Sequence, residues 1–118
     1  MKVPFLNLAA QLEGIHEHIE RSFGRVLRNS TFTMGKEVER FERAFASYCG
    51  ARYCVAVNSG TSALHLAFLA YGNGEGDEVI TQPYSFFATA EAISYTGATP
   101  VFVDVEPDTW GVDASNIV

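Results

Sequence analysis

The spacing of apolar residues predicts two amphipathic helices in the first half of the chain. Apolar side chains recur mostly every three or four positions at Leu12, Ile15, Ile19, Phe23, Val26 and Leu27. This spacing is typical of one face of a helix. The same spacing returns at Val38, Phe41, Phe45 and Tyr48. Gly50 follows this second set, in the position where a glycine commonly ends a helix.

The pattern changes after Gly50, where apolar runs alternate with helix-forming segments. The runs RYCVAV, DEVITQ and TPVFVDVE are separated by ALHLAFLAYG and ATAEAISYTG. Strands that alternate with helices at this spacing are expected to be parallel, in a sheet covered on both faces. We therefore predict an α/β fold with two N-terminal helices followed by β-α-β-α-β. Residues 1–50 are predicted to form an N-terminal arm with helices, and residues 51–118 an incomplete α/β domain.

Composition excludes several classes of protein. The 118 residues are 47% apolar and 19% charged, so the chain can bury a core. Its net charge of −6 argues against a nucleic-acid surface. No apolar stretch approaches the roughly 20 residues that span a bilayer, and the N-terminus does not resemble a signal peptide. Cys49 and Cys54 form no disulfide or zinc pattern, so a cytoplasmic location is expected.

Small polar residues stand where the first predicted strand passes into a helix, at Ser59-Gly60-Thr61-Ser62. In open α/β sheets, ligands collect at the carboxyl ends of the strands. A helix that begins there offers free N–H groups and a positive dipole end to a phosphate. Ser and Thr are also the preferred residues for capping a helix. Phosphate binding and ordinary capping therefore both account for this segment.

Two further segments are predicted at the same edge of the sheet. PYSFF, residues 83–87, places aromatic rings there, and an aromatic ring can stack on a flat cofactor. Packing in the core is the alternative for each ring. Asp104 follows the third predicted strand, where it would either orient a ligand or cap a turn. The acidic residues after it match no calcium loop, so no metal site is predicted.

Other known motifs are absent. The sequence has no P-loop, and no G-x-G-x-x-G follows a strand. GNGEGDE, residues 72–78, follows a helix and precedes a strand, so it is predicted to be a turn at the opposite edge. Leu64 stands where the nucleophile elbow requires glycine. His65 is predicted to be a packed side chain rather than a catalytic base.

Four stretches together resemble the N-terminal third of the DegT/DnrJ/StrS sugar-nucleotide aminotransferases. They are VPFLNL, FTMGKEVERFERAFASYCGARYCVAVNSGTSALHLAF, GDEVITQPYSFFATAEAI and GATPVFVDVEPDTWGVD. The resemblance covers essentially the whole chain, in order. It implies the large domain of an aspartate-aminotransferase-like, fold-type I enzyme that uses pyridoxal 5′-phosphate (PLP). It also implies a keto-sugar nucleotide substrate, an amino donor such as glutamate, and a homodimer.

The resemblance also implies roles for individual residues. In this family the Gly-Thr-Ser stretch holds the PLP phosphate, so Gly60, Thr61 and Ser62 are expected to bind it here. The aromatic residue three positions before the threonine of the AT pair stacks on the pyridine ring, which corresponds to Phe86. Phe32–Gly35 resembles a family loop beside the substrate and the dimer interface.

The resemblance leaves the catalytic lysine unaccounted for. The family uses a lysine that bonds covalently to the cofactor, and the only lysines here are Lys2 and Lys36. Neither matches the family lysine, so no catalytic residue is assigned and the 118 residues alone are expected to be inactive. The sequence stops without closing the sheet, so we expect it to be the front of a larger domain. Two alternatives stay open: a truncated, non-enzymatic phosphate-binding or interaction module, and another fold-type I PLP enzyme.

Overall fold

A computed structural model describes residues 3–117 and divides into two compact units, which meet in the sequence between Ala56 and Val57. The first unit contains three helices: α1 (Leu8–Leu12), α2 (His16–Asn29) and α3 (Lys36–Cys49). The second contains α4 (Gly60–Tyr71), β1 (Glu78–Thr81), α5 (Ala88–Ser94), β2 (Thr99–Phe102) and a 3₁₀ turn (Ala114–Asn116). None of the helices in residues 3–117 combines the length and apolar character needed to cross a bilayer.

The first predicted helix is split in two. Leu12 ends α1, and α2 begins only at His16. Gly14 lies in the interruption, and glycine is a poor helix former because it loses the most backbone freedom on ordering. The apolar spacing therefore indicated helix α2 but extended it across a break, and its apolar residues Ile19, Phe23 and Leu27 are exposed in the described structure. α3 ends as predicted, because Gly50 adopts a left-handed conformation with φ of 65°.

A network of ion pairs joins α2 to α3. The Arg25 guanidinium donates to both carboxylate oxygens of Glu37, from Nε at 2.8 Å and from Nη2 at 3.3 Å. Arg40 donates to Glu37 at 2.7 Å, and Arg25 also donates to the Ser22 hydroxyl at 2.8 Å. The hydrogen bond from Arg25 is the main cause that holds the pKa of Glu37 below its usual range. Two-point guanidinium–carboxylate contacts of this kind fix orientation as well as proximity.

The predicted first strand, RYCVAV, is not paired as a strand. Residues 53–57 belong to no strand ladder within residues 3–117. One of its backbone donors, the Ala56 N–H, is satisfied by the Glu42 carboxylate at 2.8 Å. Apolar character predicts that a segment can be buried, whereas a strand also requires a neighbouring strand that accepts its hydrogen bonds. The three-stranded prediction is therefore wrong for this segment in the described structure.

The sheet consists of β1 and β2, which pair in parallel with Glu78 opposite Thr99 and Thr81 opposite Phe102. This confirms the predicted parallel arrangement for these two strands. The Thr99 N–H donates to the Asp77 carbonyl, and the Val103 N–H donates to the Thr81 carbonyl. Successive backbone N–H positions of a strand point to opposite sides. The nitrogen of Pro100, the residue after Thr99, therefore lies on the side away from β1. Since proline cannot donate to a ladder, β2 is suited to the edge of a sheet.

The core of the second unit lies where α5 packs on the sheet and on α4. Ile93 and Ala92 are fully buried, and Ala88 and Ala98 are nearly so. Small residues let the helix approach its neighbours closely, and Ile93 supplies the single large, fully buried side chain. This short helix therefore contributes most of the apolar core of the unit.

The glycine-rich segment after α4 is a turn, as predicted. Gly72 ends α4 in a left-handed conformation, and the chain enters β1 after Asp77, whose carboxylate accepts the Gly74 N–H at 2.8 Å. Gly97 lies beside this turn with φ of 88°, and a Cβ there would meet the Glu75 backbone at 3.4 Å. The turn belongs to the amino edge of the sheet.

Replacing Ile93 by valine is expected to lower the free energy of unfolding by about 1 kcal/mol, because a buried methyl group is lost from a closely packed site. Ile80→Val is the matched control, since Ile80 is 44% exposed. Urea unfolding followed by circular dichroism measures both variants. Equal losses for the two variants would contradict the assignment of Ile93 to the core.

Stability at acid pH is expected to depend on Glu37. Because the pKa of Glu37 is lowered in the folded chain, its contribution is present above the unfolded pKa of about 4.3. That contribution is lost as the pH falls through the folded value. Wild type and Glu37→Gln should therefore differ in urea midpoint at pH 7 and converge as the pH falls below about 4. Glu39→Gln is the control, because its ion pair with Arg43 is longer, at 3.5 Å, and more exposed. A constant difference at every pH would contradict the ion-pair explanation.

Candidate functional site

The direction of the chain places three segments at the carboxyl edge of the sheet. Residues 82–87 follow β1 directly, and residues 103–113 follow β2. The chain passes from the end of α4 into β1 through the turn at the amino edge. The start of α4 therefore lies toward the opposite, carboxyl edge. Ligands of open α/β sheets bind at this edge, beyond the ends of parallel strands.

The start of α4 leaves two backbone donors free. Ser59 caps the helix, since its hydroxyl oxygen accepts the Ser62 N–H at 3.1 Å. The Ala63 N–H donates to the Ser59 carbonyl. The Gly60 and Thr61 N–H groups have no acceptor among the described residues. The capping alternative is thus present, and it still leaves two donors available to an anion at the positive end of the helix.

Hydroxyl groups add to this set of donors. The Ser59 hydroxyl donates to Ser62 Oγ at 3.0 Å, so the hydroxyl hydrogen of Ser62 stays free. Thr61 and Ser62 are both half-buried. The segment therefore offers two main-chain N–H groups and at least one hydroxyl hydrogen, which is the kind of donor set that a phosphate requires.

Gly60 is not required by the fold of the chain itself. Its φ is not in the left-handed region, and a Cβ built on it would meet no atom within 4 Å. Neither backbone conformation nor packing therefore selects glycine over alanine, although alanine is the better helix former. The space beside Gly60 is open to a ligand that approaches the helix start, and the donors fit the phosphate of a cofactor.

Phe86 lies in the loop between β1 and α5, where its ring is 80% exposed. It lines a cavity of about 270 Å³ together with Gln82, Pro83, Ser85, Phe87, Thr89, Ala90 and Phe102. The Thr89 N–H donates to the Phe86 carbonyl at 3.1 Å, and the Ser85 and Thr89 hydroxyls are 3.1 Å apart. These bonds fix the loop and leave the Phe86 ring free to contact a flat ligand.

One buried acceptor in this cavity has no donor in the part of the chain that the structure describes. The amide oxygen Oε1 of Gln82 is buried and makes no hydrogen bond within the described residues. Buried polar atoms are nearly always paired. Sequence analysis did not single out Gln82. Its position immediately after β1, at the edge where ligands bind, is the feature that could have indicated it.

The remaining candidates have structural partners. The Asp104 carboxylate accepts the Val105 N–H at 2.8 Å, which is the turn-capping role considered for it. His65 packs edge-on against Tyr95, with ring centroids 5.5 Å apart, and a hydrogen bond to Glu91 raises the pKa of Tyr95. The Ser115 hydroxyl, with its N–H, holds the pKa of Asp113 below its usual range.

The sequence contains two lysines, Lys2 and Lys36. Lys36 is the first residue of α3, in the first unit. Lys2 lies outside the described residues.

An aromatic pair at the carboxyl edge was missed by sequence analysis. The rings of Tyr84 and Trp110 lie with centroids 5.2 Å apart and an interplanar angle of 39°. Tyr84 follows β1 and Trp110 belongs to the loop after β2. The two residues are 26 positions apart in sequence, so only the pairing of the strands brings them together.

Comparison with known proteins gives one family. The profile of the DegT/DnrJ/EryC1/StrS aminotransferase family matches residues 13–118. The chain is 41% identical to a "Pleiotropic regulatory protein" of Geobacillus stearothermophilus, across 99% of this chain and 32% of the relative. It is 43% identical to dTDP-3-amino-3,6-dideoxy-α-D-galactopyranose transaminase of Aneurinibacillus thermoaerophilus, across 98% and 32%. It is 40% identical to UDP-2-acetamido-2-deoxy-3-oxo-D-glucuronate aminotransferase of Pseudomonas aeruginosa, across 94% and 31%.

Solved structures agree with this result. The crystal structure of S. venezuelae DesV in complex with a ketimine intermediate superposes with a TM-score of 0.91 at 40% identity, covering 98% of this chain and 31% of that one. NtdA from Bacillus subtilis with bound cofactor PMP superposes with a TM-score of 0.89 at 38% identity, covering 98% and 27%. The chain thus spans about a third of the length of the relatives that it matches.

Replacing Ser59 by alanine is expected to lower the free energy of unfolding by about 1 kcal/mol, because the cap of α4 is lost. Ser59→Asp should retain most of the stability, since a carboxylate also accepts the Ser62 N–H. Urea unfolding of the three chains measures the effect. If Ser59→Asp loses as much stability as Ser59→Ala, the hydrogen bond to Ser62 does not stabilise the helix.

Proposed function

Because the chain belongs to the DegT/DnrJ/EryC1/StrS aminotransferase family, we propose that it forms the phosphate-binding part of a PLP-dependent sugar aminotransferase. The substrate of the whole protein would be a keto-sugar nucleotide, and the amino donor a compound such as glutamate. Aminotransferases of this family use PLP, and the relatives include enzymes named for dTDP- and UDP-linked sugars. The activity is proposed for the whole protein, because the chain spans only about a third of the length of its relatives.

The proposal depends most on the start of α4. Gly60 and Thr61 would donate their free N–H groups to the cofactor phosphate, and Ser62 would donate its hydroxyl hydrogen. The open space beside Gly60 admits a phosphate oxygen close to the backbone. A dianionic phosphate gains from both these hydrogen bonds and the positive end of the helix. The bound cofactor supplies an electron sink for transamination.

Phe86 would contact the pyridine ring of the same cofactor. Its ring is exposed at the carboxyl edge, and the hydrogen bonds of Thr89 fix the loop that carries it. An aromatic face excludes water from one side of a flat ring and limits its tilt. The loop thus holds the orientation of the ring, while the helix start holds the phosphate.

We expect that neither lysine of residues 1–118 takes part in the covalent step of transamination. The two lysines are Lys2 and Lys36, and Lys36 begins α3 in the first unit. Transamination needs an amine that bonds to the cofactor and moves a proton. We therefore expect these residues to bind PLP without reacting with it, and to be inactive on their own.

PLP binding tests this function, by a titration of the 118-residue chain followed through the absorbance of the cofactor. Gly60→Ala is expected to lower the affinity for PLP about tenfold. The added methyl group keeps a phosphate oxygen away from the helix start, so a charge-assisted hydrogen bond is lost. The urea midpoint of this variant should be unchanged or raised, since alanine is the better helix former. Loss of binding without loss of stability is the result that identifies a ligand site.

Gly74→Ala is the matched control. Gly74 also has no left-handed φ, its added Cβ would meet only the Thr96 carbonyl at 3.8 Å, and it lies at the amino edge. Equal PLP affinity for wild type and Gly60→Ala would exclude the proposed phosphate site. Borohydride reduction and intact mass complete the test, since specific labelling of Lys2 or Lys36 would contradict the expected lack of reaction.

A further inference from the structure

Tyr84 and Trp110 form an exposed aromatic pair that the proposed cofactor site does not use. Their rings are in contact at 5.2 Å between centroids, yet Tyr84 is 69% exposed and Trp110 is 60% exposed. Within the described residues, the pair forms a continuous and largely exposed aromatic surface.

The loop that carries Trp110 is held in a defined conformation. Val105 and Val112 form an antiparallel bridge, and the Glu106 N–H donates to the Gly111 carbonyl at 2.9 Å. The Trp110 N–H donates to the Glu106 carbonyl at 2.9 Å. Trp110 itself has φ of 59°, a left-handed conformation that is unfavourable for a bulky residue. The hydrogen bonds maintain this conformation, which holds the indole ring against Tyr84.

The pair lies at the carboxyl edge of the sheet. Tyr84 follows the end of β1 by three residues, and Trp110 belongs to the loop that begins at the end of β2. The parallel pairing of the two strands puts both segments at this edge. The proposed phosphate and pyridine contacts of the cofactor, at the start of α4 and at Phe86, belong to the same edge. The pair therefore belongs to the same edge of the sheet as the proposed cofactor contacts.

Acidic residues in the loop of Trp110 bear on which chemical group of a substrate could bind at the pair. Asp104, Glu106 and Asp108 precede Trp110 in the loop that carries it. The Asp104 carboxylate already accepts a hydrogen bond from its own loop, and Glu106 accepts one from the Thr109 hydroxyl. Carboxylates disfavour a phosphate group at this position, whereas an uncharged flat ring gains from stacking.

We infer that Tyr84 and Trp110 form a stacking platform for the base of a nucleotide-linked substrate. This inference rests on the proposed function, which supplies the nucleotide. Stacking on aromatic side chains tolerates different bases, because each base has a π face. Relatives named for dTDP- and UDP-linked sugars are consistent with recognition of the base by stacking rather than by hydrogen bonds.

Fluorescence tests the platform directly, because Trp110 is the only tryptophan of the chain. The 118-residue chain is titrated with UDP, dTDP and GDP, with uridine, and with inorganic pyrophosphate. N-acetyltryptophanamide in the same solutions corrects for light absorption and collisional quenching. We expect saturable quenching by all three nucleoside diphosphates and by uridine, and none by pyrophosphate. Quenching by pyrophosphate equal to that by UDP would assign the surface to phosphate and overturn the inference.

Two tyrosine variants distinguish stacking from general quenching. Tyr84→Leu should weaken the apparent affinity for UDP about fivefold to tenfold, because one of the two rings is lost. Tyr71→Leu is the control, since Tyr71 is 90% exposed and lies at the end of α4, near the amino edge. Far-ultraviolet circular dichroism establishes that both variants keep their helices. Equal affinities in the two variants, or no saturable quenching in a helical wild-type chain, would contradict the platform.

The cofactor titration separates this inference from the proposed function. Tyr84→Leu should bind PLP as the wild type does, whereas Gly60→Ala should bind UDP as the wild type does. Normal PLP binding without nucleotide binding would overturn the platform and leave the proposed function intact. Nucleotide binding without PLP binding would contradict the proposed cofactor site and retain the platform. Loss of both ligands in each single variant would show that the two regions are not separate, which contradicts the platform as stated.

Discussion

The parallel pairing of β1 with β2 is the constraint on which the rest of the second unit depends. Parallel strands require a crossover, and the seven-residue helix α5 supplies it while burying Ile93 and Ala92 against the sheet. Once the two strands run in the same direction, their carboxyl ends must share one edge. The loops that follow them meet there, and α4 begins toward that edge. Every proposed ligand contact derives from this arrangement.

The proposed site is divided between backbone and side-chain groups. The proposed phosphate contacts would come mainly from the N–H groups of Gly60 and Thr61, which have no acceptor among the described residues. Any sequence without proline would provide such groups at a helix start. What is specific is the open space beside Gly60 and the cap formed by Ser59, which satisfies Ser62 and leaves the first two donors free. Aromatic rings then supply contact area. In the proposed site, the same few residues would therefore serve both helix stability and ligand binding.

Apolar residues remain exposed in both units. Phe23 on α2 is 61% exposed, and Phe86 is 80% exposed. The two cases differ in surroundings. Phe23 belongs to an apolar helix face, whereas Phe86 lines a cavity with a buried Gln82 oxygen that has no hydrogen-bond partner within residues 3–117. An exposed ring next to an unpaired polar atom indicates a ligand-binding region more strongly than an apolar face does, because the polar atom needs a specific partner.

The sequence alone indicated helices α2 to α5 and the candidate phosphate segment, because helix periodicity, capping glycines and small polar residues are local properties. It did not predict the break between α1 and α2. It predicted the end of α3 at Gly50 and the turn after α4, and its resemblance to a family led to PLP. It could not determine whether RYCVAV pairs as a strand, since pairing depends on a neighbour and not on apolar character. Only the tertiary structure showed which N–H groups at the start of α4 are free. It alone brought Tyr84 to Trp110, because contacts between distant residues follow from how the strands pair.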